Sequence, residues 1–142
     1  MPIDDDIRRL ATRFRNAIER CSRAALPITF ENFPRGSCGD AALLLAKYLE
    51  RHGHAGFTYI CGMRNGGSHA WLRRDDLIVD ITADQFPDQH QSVIVDRLSS
   101  WHASFRLDPR DEQHADFERY DAFTAANLAD AYEQITLRIE QS

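Results

Sequence analysis

Cys38, His69 and Asp80 have the side-chain types and the order along the chain for nucleophilic acyl transfer. Cys38 lies in Phe33-Pro34-Arg35-Gly36-Ser37-Cys38-Gly39-Asp40, where Pro34 and Gly36 mark a loop. The run that follows, Ala41, Ala42, Leu43, Leu44, Leu45, Ala46, Lys47, Tyr48, Leu49, is rich in helix formers. The thiol is therefore expected at the start of a nearly all-apolar, buried helix. The positive end of the helix macrodipole favours a thiolate there. The first-turn N–H groups have no intrahelical partner and can hold an oxyanion. His69 is the candidate base and Asp80 the group that orients it, leaving the other imidazole nitrogen to face the thiol.

The elements that must position these residues follow from periodicity. Residues 4–25 predict an amphipathic helix with Ile3, Ile7, Leu10, Phe14, Ile18 and Cys21 on the apolar stripe. Arg8, Arg9, Arg13, Arg15, Glu19, Arg20 and Arg23 are assigned to its solvated faces. Pro27 ends this helix, and residues 28–33 are expected to be short and extended. The Cys38 helix should stop at His52-Gly53, with Gly53 as C-cap. Residues 57–62, 68–73 and 77–82 read as three strands of an antiparallel meander, joined at Asn65-Gly66-Gly67 and Arg74-Asp75-Asp76. That register puts His69 and Asp80 on neighbouring strands, with side chains able to meet across the ladder. Residues 83–91 read as a polar loop and 92–95 as a short fourth strand. A last helix from Ala122 or Thr124 to Ile139 is expected to bury Phe123, Ala126, Ala129, Tyr132, Ile135 and Ile139.

Each residue alone has a plain structural use. A Cys at a helix start packs, a His on a strand is a satisfied core or surface group, and an Asp ending a strand forms a turn. The three together, with Gly36 and Gly39 opening space at the thiol, favour chemistry. A mononuclear metal site from Cys38, His69, Asp80 and His90 ranks below this, because it lacks the close-paired spacing of structural zinc sites. No metal or other cofactor is expected. Cys21 reads as a core thiol and Cys61 as strand packing; three cysteines without framework spacing favour a reducing compartment.

The length predicts a single domain over residues 1–142. A net charge of −5 gives no nucleic-acid footprint. No apolar run is long enough for a bilayer, and the acidic start Met1-Pro2-Ile3-Asp4-Asp5-Asp6 has no h-region. A cytoplasmic protein is expected, with export by a route that reads no such signal left open. The oligomeric state is not fixed by sequence.

Gly36-Ser37-Cys38-Gly39-Asp40-Ala41, His69-Ala70-Trp71-Leu72 and Val79-Asp80-Ile81-Thr82 together resemble the core of the transglutaminase-like branch of the papain-like cysteine proteases. The resemblance covers residues 33–86. It implies an α+β fold with the nucleophile helix packed on an antiparallel sheet; the helices expected at both termini come from periodicity and have no counterpart in the resemblance. It also implies Cys38 as nucleophile, His69 as base and Asp80 as orienter. Superfamily members often use a side-chain amide or an indole as second oxyanion donor, which makes Gln85, Asn32 and Trp71 candidates. The implied activity is cysteine-dependent attack on an amide of a protein or peptide: a peptidase, a glutamine deamidase or a transglutaminase, in the manner of small bacterial toxins and effectors. A catalytically idle module using the cleft for a partner, and acetyl transfer of the arylamine type, are the alternatives.

Overall fold

The computed structural model describes residues 2–140. Its elements run α1 (Pro2–Arg20), α2 (Cys38–Arg51), β1 (Thr58–Arg64), β2 (Gly67–Arg74), β3 (Leu77–Asp80), β4 (Ile94–Arg97), α3 (Ser100–Ala103), β5 (Arg106–Leu107), β6 (Gln113–His114) and α4 (Ala122–Glu140). Among the described residues the strands form one six-stranded sheet of order β4-β3-β2-β1-β5, with β6 also on β1. All pairings are antiparallel. The fold is α+β, and no helix among the described residues is long and apolar enough to cross a membrane.

The β1–β2 hairpin turns at Asn65 (φ 52°) and Gly66 (φ 80°). Both sit in the left-handed region that Asn-Gly tolerates best, and the turn fixes the register Gly62↔His69 and Ile60↔Trp71. Strand alternation then sorts the sheet into two faces. Tyr59, Leu72 and Val79 join the main core with α1, α2 and α4, where Phe14 lies 5.1 Å from the Tyr48 ring and 6.3 Å from that of Tyr132. Ile60 and Trp71 join Phe105 in a second cluster on the other face, flanked by Ile78, Phe86 and Trp101. Gly62 belongs to that crowded face: a Cβ there would stand 2.9 Å from Leu107 and 3.0 Å from Phe105.

Several expectations are corrected. Residues 28–30 form a 3-10 turn rather than an extended segment, closed by Phe30 N–H to Pro27 O at 2.9 Å. Ile28 and Thr29 favour strands only where a neighbouring strand receives them. Here Phe30 is driven into the core and Ile28 is left 83% exposed. The face of α4 is also shifted. Leu128, Ala131 and Ile135 are buried, whereas Phe123, Ala126 and Ala129 are exposed. α1 ends at Arg20, and Ile3 lies outside its buried stripe.

Arg15 is the largest departure, because it is buried rather than solvated. Its two Nη atoms donate to the two Asp84 oxygens at 2.7 and 2.9 Å, Nη1 donates to Ile81 O at 2.7 Å, and Nε donates to Glu19 at 2.8 Å. Burial pulls the guanidinium pKa down, and the Asp84 and Glu19 bonds outweigh this, for a net rise. The clamp ties the segment after β3 to α1. Arg15→Met keeps much of the volume and strands the Asp84 carboxylate. Urea denaturation is expected to show a loss of about 2–3 kcal/mol, less than for a fully buried pair because Asp84 is partly exposed. A loss under about 0.5 kcal/mol, as for an ordinary surface change, would contradict the clamp.

Candidate active site

Asp80 is the last residue of β3 and His69 lies two residues before Trp71 on β2, so the pairing Leu72↔Val79 makes them diagonal neighbours on one face. His69 Nε2 is 2.7 Å from Asp80 Oδ2, and both side chains have no exposed surface. Asp80 Oδ1 accepts the Thr82 backbone N–H at 2.9 Å. The chain turns back on itself there, at the end of the strand, and supplies an amide to the carboxylate.

His102 on α3 completes the carboxylate's shell. Its Nε2 is 2.7 Å from the same Oδ2, and its Nδ1 is 2.7 Å from Ser99 Oγ. Burial pushes the Asp80 pKa up, but the hydrogen bonds from His102 and His69 overcome it and hold the carboxyl well below the usual range. Burial likewise pulls His69 down. The Asp80 bond and a hydrogen bond with Cys38 reverse this and raise it to about 9. The imidazole is thus held as a cation at neutral pH.

Cys38 is the first residue of α2 and is half-buried, and its thiol is near enough to His69 to help raise the imidazole pKa. Gln85 closes a 3-10 turn, Ala83–Gln85, and its side-chain amide lies 3.1 Å from His69 Nδ1. An amide satisfies that nitrogen in both states, as N–H donor to the neutral ring or C=O acceptor from the imidazolium. Cys38, His69, Asp80 and Gln85 therefore come together. Asn32 is exposed in the turn ahead of α2, with no side-chain hydrogen bond to these groups among the described residues. Trp71 is buried, and its indole N–H has no hydrogen-bond partner among the described residues. The gap it lines with Cys38, Ala42 and Ala70 is too tight for a water molecule, and its ring stands 5.6 Å from that of His69 and 4.8 Å from that of His102.

Gly36 and Gly39 were expected to open space at the thiol. Gly36 instead takes φ 80° in the turn, and the space at Gly39 is filled by Tyr59, whose Oη would be 2.9 Å from a Cβ there. Burial raises the Tyr59 pKa, and the nearby Cys61 and Cys38 add to this, so a protonated hydroxyl faces the start of α2. Phe86, Trp101 and Phe105 surround His69 at centroid distances of 5.1, 5.9 and 5.8 Å. The Arg64 guanidinium covers these three rings and donates to Asp88 at 2.7 Å. This shell keeps water from one side of the imidazole.

His69, Asp80 and His102 also form the one potential metal-ligand group among the described residues; His90 is exposed and outside it. The nitrogen–oxygen separations of 2.7 Å are hydrogen bonds. Tetrahedral zinc would hold such atoms about 3.3 Å apart. The sequence offered little for His102 beyond Ser99 three residues earlier, an N-cap residue whose hydroxyl accepts the His102 N–H. Comparison with protein-family models, curated proteins and solved structures finds no match.

The buried pair sets a pH dependence of stability. His69 is raised from 6.5 to about 9, so its contribution is complete below pH ~6.5 and is lost as pH rises through about 9. Asp80 is lowered, so its contribution is complete above the ordinary carboxylate range, pH ~4, and is lost on acidification. Melting temperature is expected to be highest between these limits and to fall on either side, and Asp80→Asn is expected to remove the fall between pH ~6.5 and ~9. A parent protein equally stable across that alkaline interval would contradict the pairing.

Proposed function

We propose that this chain is a cysteine-dependent hydrolase of the papain-like, transglutaminase-like kind, acting on an amide of a protein or peptide. The observation that carries the reading is the buried His69–Asp80 hydrogen bond beside a thiol that begins a helix. The α2 helix packed on an antiparallel sheet supports the architecture that the sequence motifs imply.

In this mechanism the proton of Cys38 resides on His69, giving a thiolate–imidazolium pair. The sulfur attacks the amide carbon, and the carbonyl π electrons move onto oxygen. The Cys38 N–H stabilises that oxyanion. Gln85, with its C=O turned to the imidazolium, offers its NH₂ end as the second donor. Collapse breaks the C–N bond as His69 protonates the leaving amine, leaving a thioester on Cys38. His69, now neutral, takes a proton from water; hydroxide adds to the thioester and the carboxylate product leaves with the thiolate restored. Asp80 keeps the tautomer and never carries the proton.

p-Nitrophenyl acetate tests this without knowledge of the natural substrate. A burst of nitrophenolate near one equivalent is expected, with the acetyl group found on Cys38 by mass spectrometry. Cys38→Ala should abolish the burst and His69→Ala should nearly do so. Asp80→Ala should slow acylation by up to about 10⁴-fold, the handicap of a serine-triad enzyme lacking its Asp. The double variant His69→Ala/Asp80→Ala should be no slower than His69→Ala alone, because the groups act as a unit. A burst that survives Cys38→Ala, or acetyl groups spread over Cys21 and Cys61, would overturn the proposal.

A further inference from the structure

We propose that His102, set by Ser99, is a positioning residue for this site: it holds Asp80 so that one carboxylate oxygen serves two imidazoles and His69 receives only part of its charge. The inference rests on the reading of Cys38 and His69 as thiol and base.

Nothing in the acyl-transfer steps requires a second imidazole, yet His102 is buried with no exposed side-chain surface and both of its ring nitrogens are engaged. The direction of these bonds follows from the carboxylate. Asp80 Oδ2 only accepts, so the ring hydrogen of His102 sits on Nε2 and points at it. Nδ1 of the neutral ring is then an acceptor, and Ser99 Oγ, which accepts the His102 backbone N–H at 3.3 Å, gives it its own hydrogen. The carboxylate thereby fixes the tautomer, and the hydroxyl holds the ring against it.

Asp80 has a second anchor, Oδ1 on the Thr82 N–H at 2.9 Å, so its orientation does not rest on His102 alone. What His102 adds is competition for Oδ2, at the same 2.7 Å as His69. The groups facing His69 are Asp80 from β3, Cys38 from the start of α2, Gln85 from the turn after β3 and His102 from α3. Beyond the aromatic shell stands the Arg64–Asp88 pair. Tyr59 from β1 stays protonated and adds no charge. Without His102's N–H, Oδ2 serves His69 alone, the imidazolium is held more tightly, and its proton is given up less readily to the leaving amine.

The test uses His102→Leu, which fills the volume without a donor, and His102→Gln, which restores an amide N–H. His69 is followed by NMR titration of its ring, and acylation by the p-nitrophenyl acetate burst. In His102→Leu the His69 midpoint is expected to move up by about one pH unit and the burst to slow. In His102→Gln both should return to the parent values. Should His102→Leu not fold, Ser99→Ala keeps the imidazole and its Nε2–H but removes the donor to Nδ1, which weakens that N–H and loosens the ring over Asp80, and should shift the midpoint the same way by less. A His102→Leu or Ser99→Ala protein that melts earlier but titrates like the parent would make His102 merely structural and overturn the inference. A parent with no burst would sink the acyl-transfer reading instead, whatever the His69 midpoint does.

Discussion

The Asp80 carboxylate is an ion without contact to water, and the structure around it is built to keep it charged. Desolvation of a lone carboxylate costs several kcal/mol and would drive it to the neutral acid. Four donors prevent this: the ring nitrogens of His69 and His102, and the backbone N–H and, at 3.5 Å, the hydroxyl of Thr82. They come from three places in the fold, so β2, α3 and the turn after β3 must all be in place before the charge is satisfied. The Arg15–Asp84 pair extends the constraint to α1, because Arg15 also grips the carbonyl of Ile81, next to Asp80.

The two faces of the sheet divide the remaining work. One face carries the main hydrophobic core, which seats α2 and thereby places Cys38. The other carries aromatic rings that enclose His69 and His102. Thiol and imidazole meet where β3 stops and β2 runs on toward the hairpin turn. A low-dielectric enclosure strengthens every charge interaction inside it, which is why His69 stays cationic despite burial.

Much of this was legible in the sequence where geometry is local. Asn65-Gly66 fixes a two-residue hairpin turn, and that turn together with the short β2–β3 connection sets the His69–Asp80 diagonal. The helix start at Cys38 followed from propensity and from the loop signals Pro34 and Gly36. What was hidden depends on distant partners. Arg15 looks like any polar position on an amphipathic helix until Asp84, 69 residues on, receives it. His102 sits in a stretch with no periodicity, and its role exists only because α3 folds back over β3. Gln85 could be nominated by type but not placed, since a 3-10 turn rather than a loop aims it at Nδ1. The α4 face was misjudged at its first half because Phe123, though large and apolar, precedes the point where the helix meets the core.

Activation of Cys38 by His69 makes the alkylation of this thiol selective. Iodoacetamide labelling at pH ~7, resolved by cysteine, is expected to modify Cys38 at least about tenfold faster than Cys61, which is also half-buried, and faster still than buried Cys21. His69→Ala is expected to remove that advantage while the protein stays folded. Equal rates for Cys38 and Cys61, or a Cys38 rate untouched by His69→Ala, would mean that His69 does not activate the thiol.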